Sequence, residues 1–262
     1  MNRFGAALWG EALKARRTAL LGFSVLAICL LPGVGGLFMI ILKDPAAAKG
    51  LGLISTKAQL MAGVADWPTY LGILSQGLAV AGSLIFGLIT AWVFGREFAE
   101  RTAKELLAVP TPRSVIVAAK LIVTLTWALA LTLIVIVLGF GVGWAVDIPG
   151  GSTELAWSAV ANLLLVGALT ALLMPWVAYL AGIGHGYLAP IGWMFLVLAL
   201  AQIMVVLGWG DLFPWSVPAL ISGAAGQSAA RLGWHSYLLV VLAGLAGVVA
   251  VVHWWREADQ VR

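Results

Sequence analysis

Charge is what this 262-residue sequence has least of: fifteen Lys and Arg and eleven Asp and Glu, 10% of the chain, against 62% apolar residues. Soluble domains carry about 25% charged residues, so this composition excludes one, and the mean hydropathy of +1.04 agrees. The chain treats lipid as its solvent. A single cysteine, Cys29, excludes an internal disulfide and a thiolate metal cluster; inside an apolar run it reads as a small buried hydrophobe. His185, His235 and His253 are scattered and build no His-Glu-x-x-His zinc site. There is no G-x-x-x-x-G-K-[ST] phosphate loop, no G-x-S-x-G nucleophile elbow and no pair of aspartates within an apolar run. Nothing therefore points to an enzyme, and no metal, cofactor or nucleic-acid partner is expected on this chain.

Only helices and closed barrels satisfy their backbone in lipid. Barrel strands alternate apolar and polar residues, whereas "LIVTLTWALALTLIVIVLGFGVGWAV" (121–146) shows no alternation. Six apolar segments reach the roughly 20 residues a helical span needs: 18–42, 73–94, 114–146, 155–181, 187–209 and 236–255. The expected fold is an all-α polytopic membrane protein, one domain over 1–262 with six transmembrane helices. Residues 1–17 read as an interfacial elbow helix, with Phe4, Leu8, Ala12 and Ala15 on one face and Arg3, Lys14 and Arg17 on another. The apolar run after Arg16 and Arg17 is long and lacks a small-residue cleavage site, so it reads as a retained span. With the N-terminus inside, eleven Lys and Arg fall on the cytoplasmic side and four outside, which puts both termini in the cytoplasm.

Inside the spans, Ser75, Ala79, Ser83, Gly87, Ala91 and Gly95 recur every four residues and form a groove for a neighbouring backbone. "LPGVGG" (31–36) predicts a kink or unwinding of the first span, and Pro175 a bend in the fourth. Residues 210–233, with Pro214 and Pro218 and an apolar middle, read as an outer re-entrant hairpin. No charge falls near the middle of a span, which argues against a proton- or ion-coupled pump. The polar groups left for helix packing or a pathway include Ser83, Thr90 and Gln202.

Against this background "GREFAERTAKELLAVPTPR" (95–113) is an anomaly, with seven charged residues in nineteen. Residues 96–109 are strong helix formers, Pro110 and Pro112 stop them, and Glu97–Arg101 and Glu100–Lys104 are spaced to pair at i, i+4. A solvated loop is one reading; a stiff helix that docks into a partner is the other.

"EALKARRTALL" followed by "FGREFAERTAKELLAVPTPRSVIVAAKLIV" resembles the permease subunit of type-2 ATP-binding-cassette exporters, close to the bacitracin- and lantibiotic-type branch. That family has a pattern E-x-x-x-[GR]-T-x-x-x-L-x-x-x-P-x-[SP]-R, met here by Glu97, Arg101, Thr102, Leu106, Pro110 and Arg113. The resemblance implies a cytoplasmic coupling helix at 96–109, with Arg96, Glu97, Glu100, Arg101, Thr102, Lys104 and Glu105 receiving the stroke of a separate ATPase subunit that holds ATP and Mg. It also implies a second permease copy, as a homodimer or with a related permease, in a bacterial plasma membrane, and export of an amphipathic or hydrophobic cargo such as a peptide antibiotic. A membrane scaffold or sensor that docks a soluble partner without transport is the competing class.

Overall fold

Lipid offers the backbone no hydrogen-bond partner, so a chain this apolar has to close its backbone bonds within helices. The computed structural model describes residues 3–44, 64–102, 111–223 and 232–257, and every regular element among them is helical. Helix α1 (Arg3–Arg17) leads through Thr18, whose side chain caps the next helix, into α2 (Ala19–Lys43). Helix α3 covers Trp67–Ala99 and α4 covers Arg113–Ala145. Helices α5 (Thr153–Leu172) and α6 (Pro175–Ile183) form one stretch, followed by α7 (Leu188–Val206), the short α8 (Val217–Ile221) and α9 (Trp234–Glu257). Among the described residues six stretches are long and apolar enough to cross a membrane: α2, α3, α4, α5 with α6, α7 and α9. The all-α polytopic class and its six spans stand.

Helix α3 and the α5–α6 stretch form the centre, with 56% and 61% of their most apolar windows buried, whereas α7 is 22% buried and turns most of its surface outward. Lys43, at the end of α2, donates to the carbonyls of Val146 and Asp147 and so ties α2 to the end of α4. At the opposite end Arg113 donates to the carbonyls of Trp255 and Arg256 at the end of α9. Helix α4, at 33 residues, is about 50 Å long. The hydrocarbon core is about 30 Å thick, so a good part of α4 lies beyond it.

Two expectations need correction. Pro32 does not unwind α2, which stays helical through 31–36. The glycines serve close contact instead: a Cβ on Gly35 would press the Tyr70 ring and one on Gly36 would meet Val142, while the Tyr70 hydroxyl donates to the Pro32 carbonyl at 3.3 Å. The bend expected at Pro175 is a tight step, with Leu173 and Met174 N–H bonded three residues back before Pro175 opens α6.

The second correction concerns the charged passage. Gly95 does not end α3: a Cβ there would lie 2.9 Å from the Gly186 carbonyl oxygen, so it is a packing position. Arg96, Glu97, Phe98 and Ala99 are the last turn of α3. The expected separate helix over 96–109 therefore does not begin at Arg96. Residues 103–110 lie outside the described residues, Lys104 and Glu105 among them. Of the expected hairpin 210–233 the structure describes one limb: a 3-10 turn at Gly210–Leu212, then α8, with Val217 and Leu220 buried against the spans. Residues 224–231 lie outside the described residues.

The small-residue ladder survives, with a refinement. A step of four residues drifts by about 40° around a straight α-helix, so six such positions would wander off one face. Helix α3 contains a π-helical turn at Leu78–Gly82 that takes up part of this drift. Ser75, Ala79, Gly87, Ala91 and Gly95 are buried and Ser83 is half-buried. Gly87 faces α7 so closely that a Cβ would overlap the Met194 side chain. We expect Gly87→Leu to lower stability by about 1–3 kcal/mol through overpacking, and Met194→Ala in the same chain to recover part of the loss. Thermal unfolding of the detergent-purified chain measures both; no recovery would mean that α3 and α7 do not meet there.

Candidate functional site

Four charged side chains meet where α1, α3 and α4 converge. Glu11 and Lys14 lie three residues apart on one face of α1, Glu97 is in the last turn of α3, and Lys120 is two turns into α4. Lys120 Nζ lies 2.7 Å from Glu97 Oε1 and 3.1 Å from Glu11 Oε2; Lys14 Nζ lies 2.7 Å from Glu11 Oε1 and 3.2 Å from Glu97 Oε1. Each lysine bridges both carboxylates and each carboxylate both lysines, so the four form a closed ring of alternating charge with no net charge.

Three of the four are enclosed, while Lys14 reaches the surface with its side chain 33% exposed. Lys120 is 0% exposed, Glu97 3% and Glu11 7%. Lys120 spends its three donors on Glu97, Glu11 and the Val93 carbonyl (2.7 Å), and its ammonium also lies 5.8 Å from the Phe94 ring centroid. Burial opposes the charge on Lys14, but hydrogen bonds and attraction from Glu11 and Glu97 outweigh it and raise its pKa. A raised lysine pKa means the stabilisation from Lys14 is complete below the ordinary lysine value and is lost only as pH climbs through the folded one.

The turn that follows Glu97 explains the charged passage. Thr102 N–H bonds the Glu97 carbonyl at 2.9 Å and Arg101 N–H bonds the Phe98 carbonyl at 3.2 Å, with Arg101 at φ 60°. This is a Schellman stop, whose left-handed position favours glycine. The Gly-or-Arg position of the family pattern is thus the left-handed residue of a helix stop, and its Glu is the residue that anchors the same turn. Arg96 and Glu100 face away from the ring. They pair with each other at 3.2 Å, with the Arg96 guanidinium 5.1 Å from the Trp92 ring centroid.

The structure divides the expected coupling set. Glu97 is buried and fastened, so the expected Glu97–Arg101 pair does not form; Arg96 pairs with Glu100, and Glu100 and Arg101 are exposed. The residues expected to serve helix packing or a pathway lie on α3 and α7. Thr90 and Ser83 bond the carbonyls four residues before them in α3, and Gln202 faces outward from α7. Glu11 escaped the sequence reading. The signal that can find it is Lys120: a lysine within a long apolar helix needs a carboxylate from elsewhere, and acids are few. A second polar knot lies at the far end, where Asn162 accepts from Ser75 at 2.7 Å and donates to the Ile221 carbonyl at 3.3 Å, joining α5, α3 and α8.

Comparison with known proteins places these features in a family. The sequence profile described as ABC-2 family transporter protein matches residues 7–202, a stretch that contains all four ring residues. The chain is 27% identical over 180 residues to the bacitracin transport permease protein of Bacillus licheniformis, a match covering 68% of this chain and 85% of that protein. No solved structure matches.

Lys120→Met leaves Glu11 and Glu97 with Lys14 alone between them, so the ring carries one uncompensated negative charge. Removing one partner of a buried ion pair costs about 3–5 kcal/mol, so this substitution should lower Tm sharply. Glu97→Gln in the same chain restores neutrality and should recover most of the loss. A double-mutant cycle measures it; losses that simply add would show that the two residues are not coupled.

Proposed function

The chain belongs to the ABC-2 transporter family, and on that premise we propose that it is the membrane-spanning subunit of an ATP-driven exporter. A separate ATPase subunit binds ATP and Mg and docks on the exposed side of the turn at 96–102. The observation that carries this reading is the two-sidedness of that turn. Arg96, Glu100 and Arg101 present charge outward, while Glu97, in the same turn, is locked to α1 and α4. Displacement of the segment after Thr102 is therefore passed to three helices at once rather than absorbed in a flexible loop.

Cargo is read from what the spans offer. They present aliphatic and aromatic surface with scattered hydroxyls and no charge at mid-membrane, which suits an amphipathic peptide or hydrophobic antibiotic; the transport of bacitracin named for the relative agrees with this class. A second copy of the chain completes the path. Gln202, exposed on the least buried span, gains a polar partner across such a contact that lipid does not provide. Both termini lie in the cytoplasm by the Lys and Arg bias.

The test is co-reconstitution with the ATPase subunit in vesicles, scoring ATP-dependent cargo movement. Glu100→Arg and Arg101→Glu should leave stability within about 0.5 kcal/mol of the parent, as exposed substitutions do, yet weaken ATPase association or uncouple hydrolysis from movement. Full coupling in both variants would sink the docking assignment, and hydrolysis without cargo movement in the parent would favour the scaffold class.

Topology has its own measurement. In a Cys29→Ala background, cysteines at Leu212 and Gly223 should react quickly with an impermeant thiol reagent added outside intact cells, and one at buried Leu220 slowly. Reaction of the two exposed positions only after the cytoplasm is opened would invert the orientation.

A further inference from the structure

Beside the ring, and outside it, the elbow end of the bundle has a groove of about 380 Å³ between α1, the start of α2 and the last turns of α3. Its polar wall is Lys14, Arg17 and Arg96, with Glu100 at the edge; Leu13 and Trp92 supply an apolar wall. We propose that this groove binds the phosphate headgroup of an anionic lipid from the leaflet on the elbow side, as a defined site rather than as diffuse attraction to a basic surface.

Charge bookkeeping selects the ligand. Lys14 is neutralised within the ring and Arg96 by Glu100. Arg17 makes no ion pair among the described residues, so the groove has one uncompensated positive charge, matched by one phosphodiester. The start of α2 adds to this: Thr18 caps it and no acidic residue occupies its first turn, so the positive end of the helix dipole is left for an external anion.

The apolar wall and the location favour a lipid over free phosphate. Arg17 and Thr18 form the join between the elbow and the first span, which puts the groove at headgroup depth. Trp92, with Arg96 packed on its ring, belongs at the border between headgroups and hydrocarbon. A molecule with phosphate at Arg17 and its glycerol neck on Leu13 and Trp92 satisfies both walls; a free anion satisfies one. A bound lipid would also tie α1 to α3 beside the ring, since Lys14 borders both. The groove shares Arg96 and Glu100 with the proposed docking face, but its test rests on Arg17 and reads binding and not cargo movement.

The full-length chain in neutral detergent is titrated with short-chain phosphatidylglycerol, phosphatidylcholine or inorganic phosphate, following bound lipid by native mass spectrometry and Tm in parallel. Phosphatidylglycerol should bind about tenfold tighter than phosphatidylcholine, as expected for one charge-assisted contact, and raise Tm by mass action. Inorganic phosphate at the same concentration should not compete. Arg17→Gln should lose most of this preference and Arg17→Lys should keep part of it. Arg16→Gln, which removes an equal charge one residue outside the groove, should bind like the parent. Equal loss in Arg16→Gln and Arg17→Gln would show diffuse attraction and overturn the site. Equal binding of the two lipids would overturn it as well, and competition by phosphate would make it a soluble-anion site instead.

Discussion

The ring formed by Glu11, Lys14, Glu97 and Lys120 is the constraint on which the arrangement of the α1 end of the bundle depends. Buried charges tolerate no halfway geometry. Desolvating them costs several kcal/mol per ion, and mutual attraction offsets this only when every partner is in place. The ring therefore contributes register more than net stability: α1, α3 and α4 meet in one arrangement because a slip of any of them strands a charge. The length of α4 makes this possible, since Lys120 lies two turns from its start, in a helix longer than the hydrocarbon core.

Apolar surface cannot supply that register here. Between helices in lipid the tails compete on equal terms with leucine, so association relies on close backbone contact and on polar groups that cannot be left unpaired. Both devices are present in a consistent division. Small residues let α2 meet α3 and α4, and α3 meet α7, through the span interiors. Polar knots close the ends: the ring and Arg113 on the α1 side, and Lys43 and the Ser75–Asn162–Ile221 chain on the other.

The turn at 96–102 combines several structural devices in seven residues. Glu97 supplies a fastening, Arg101 and Thr102 a helix stop, and Arg96, Glu100 and Arg101 a charged outer face. A pattern that reads as one run of charge divides at helical spacing, with one face turned to the bundle and one away from it.

Composition, run length and the lack of period-two alternation determined that the chain is helical, that it has six spans and roughly where, because in lipid only helices and closed barrels satisfy the backbone and span length follows bilayer thickness. The family pattern marked the right passage, and helical spacing marked the small-residue face of α3. Which charges of that passage are buried was decided by tertiary structure. Glu97 and Glu100 are three residues apart and chemically equivalent in the sequence, yet one faces Lys120 and Lys14 and the other faces out. Nothing local distinguishes them, since the counter-charges come from positions 83 residues earlier and 23 later in the chain. The continuity of α2 through Pro32 and of α3 past Gly95 was decided in the same way, by neighbours such as Tyr70 and Gly186 that fill the space a break would open.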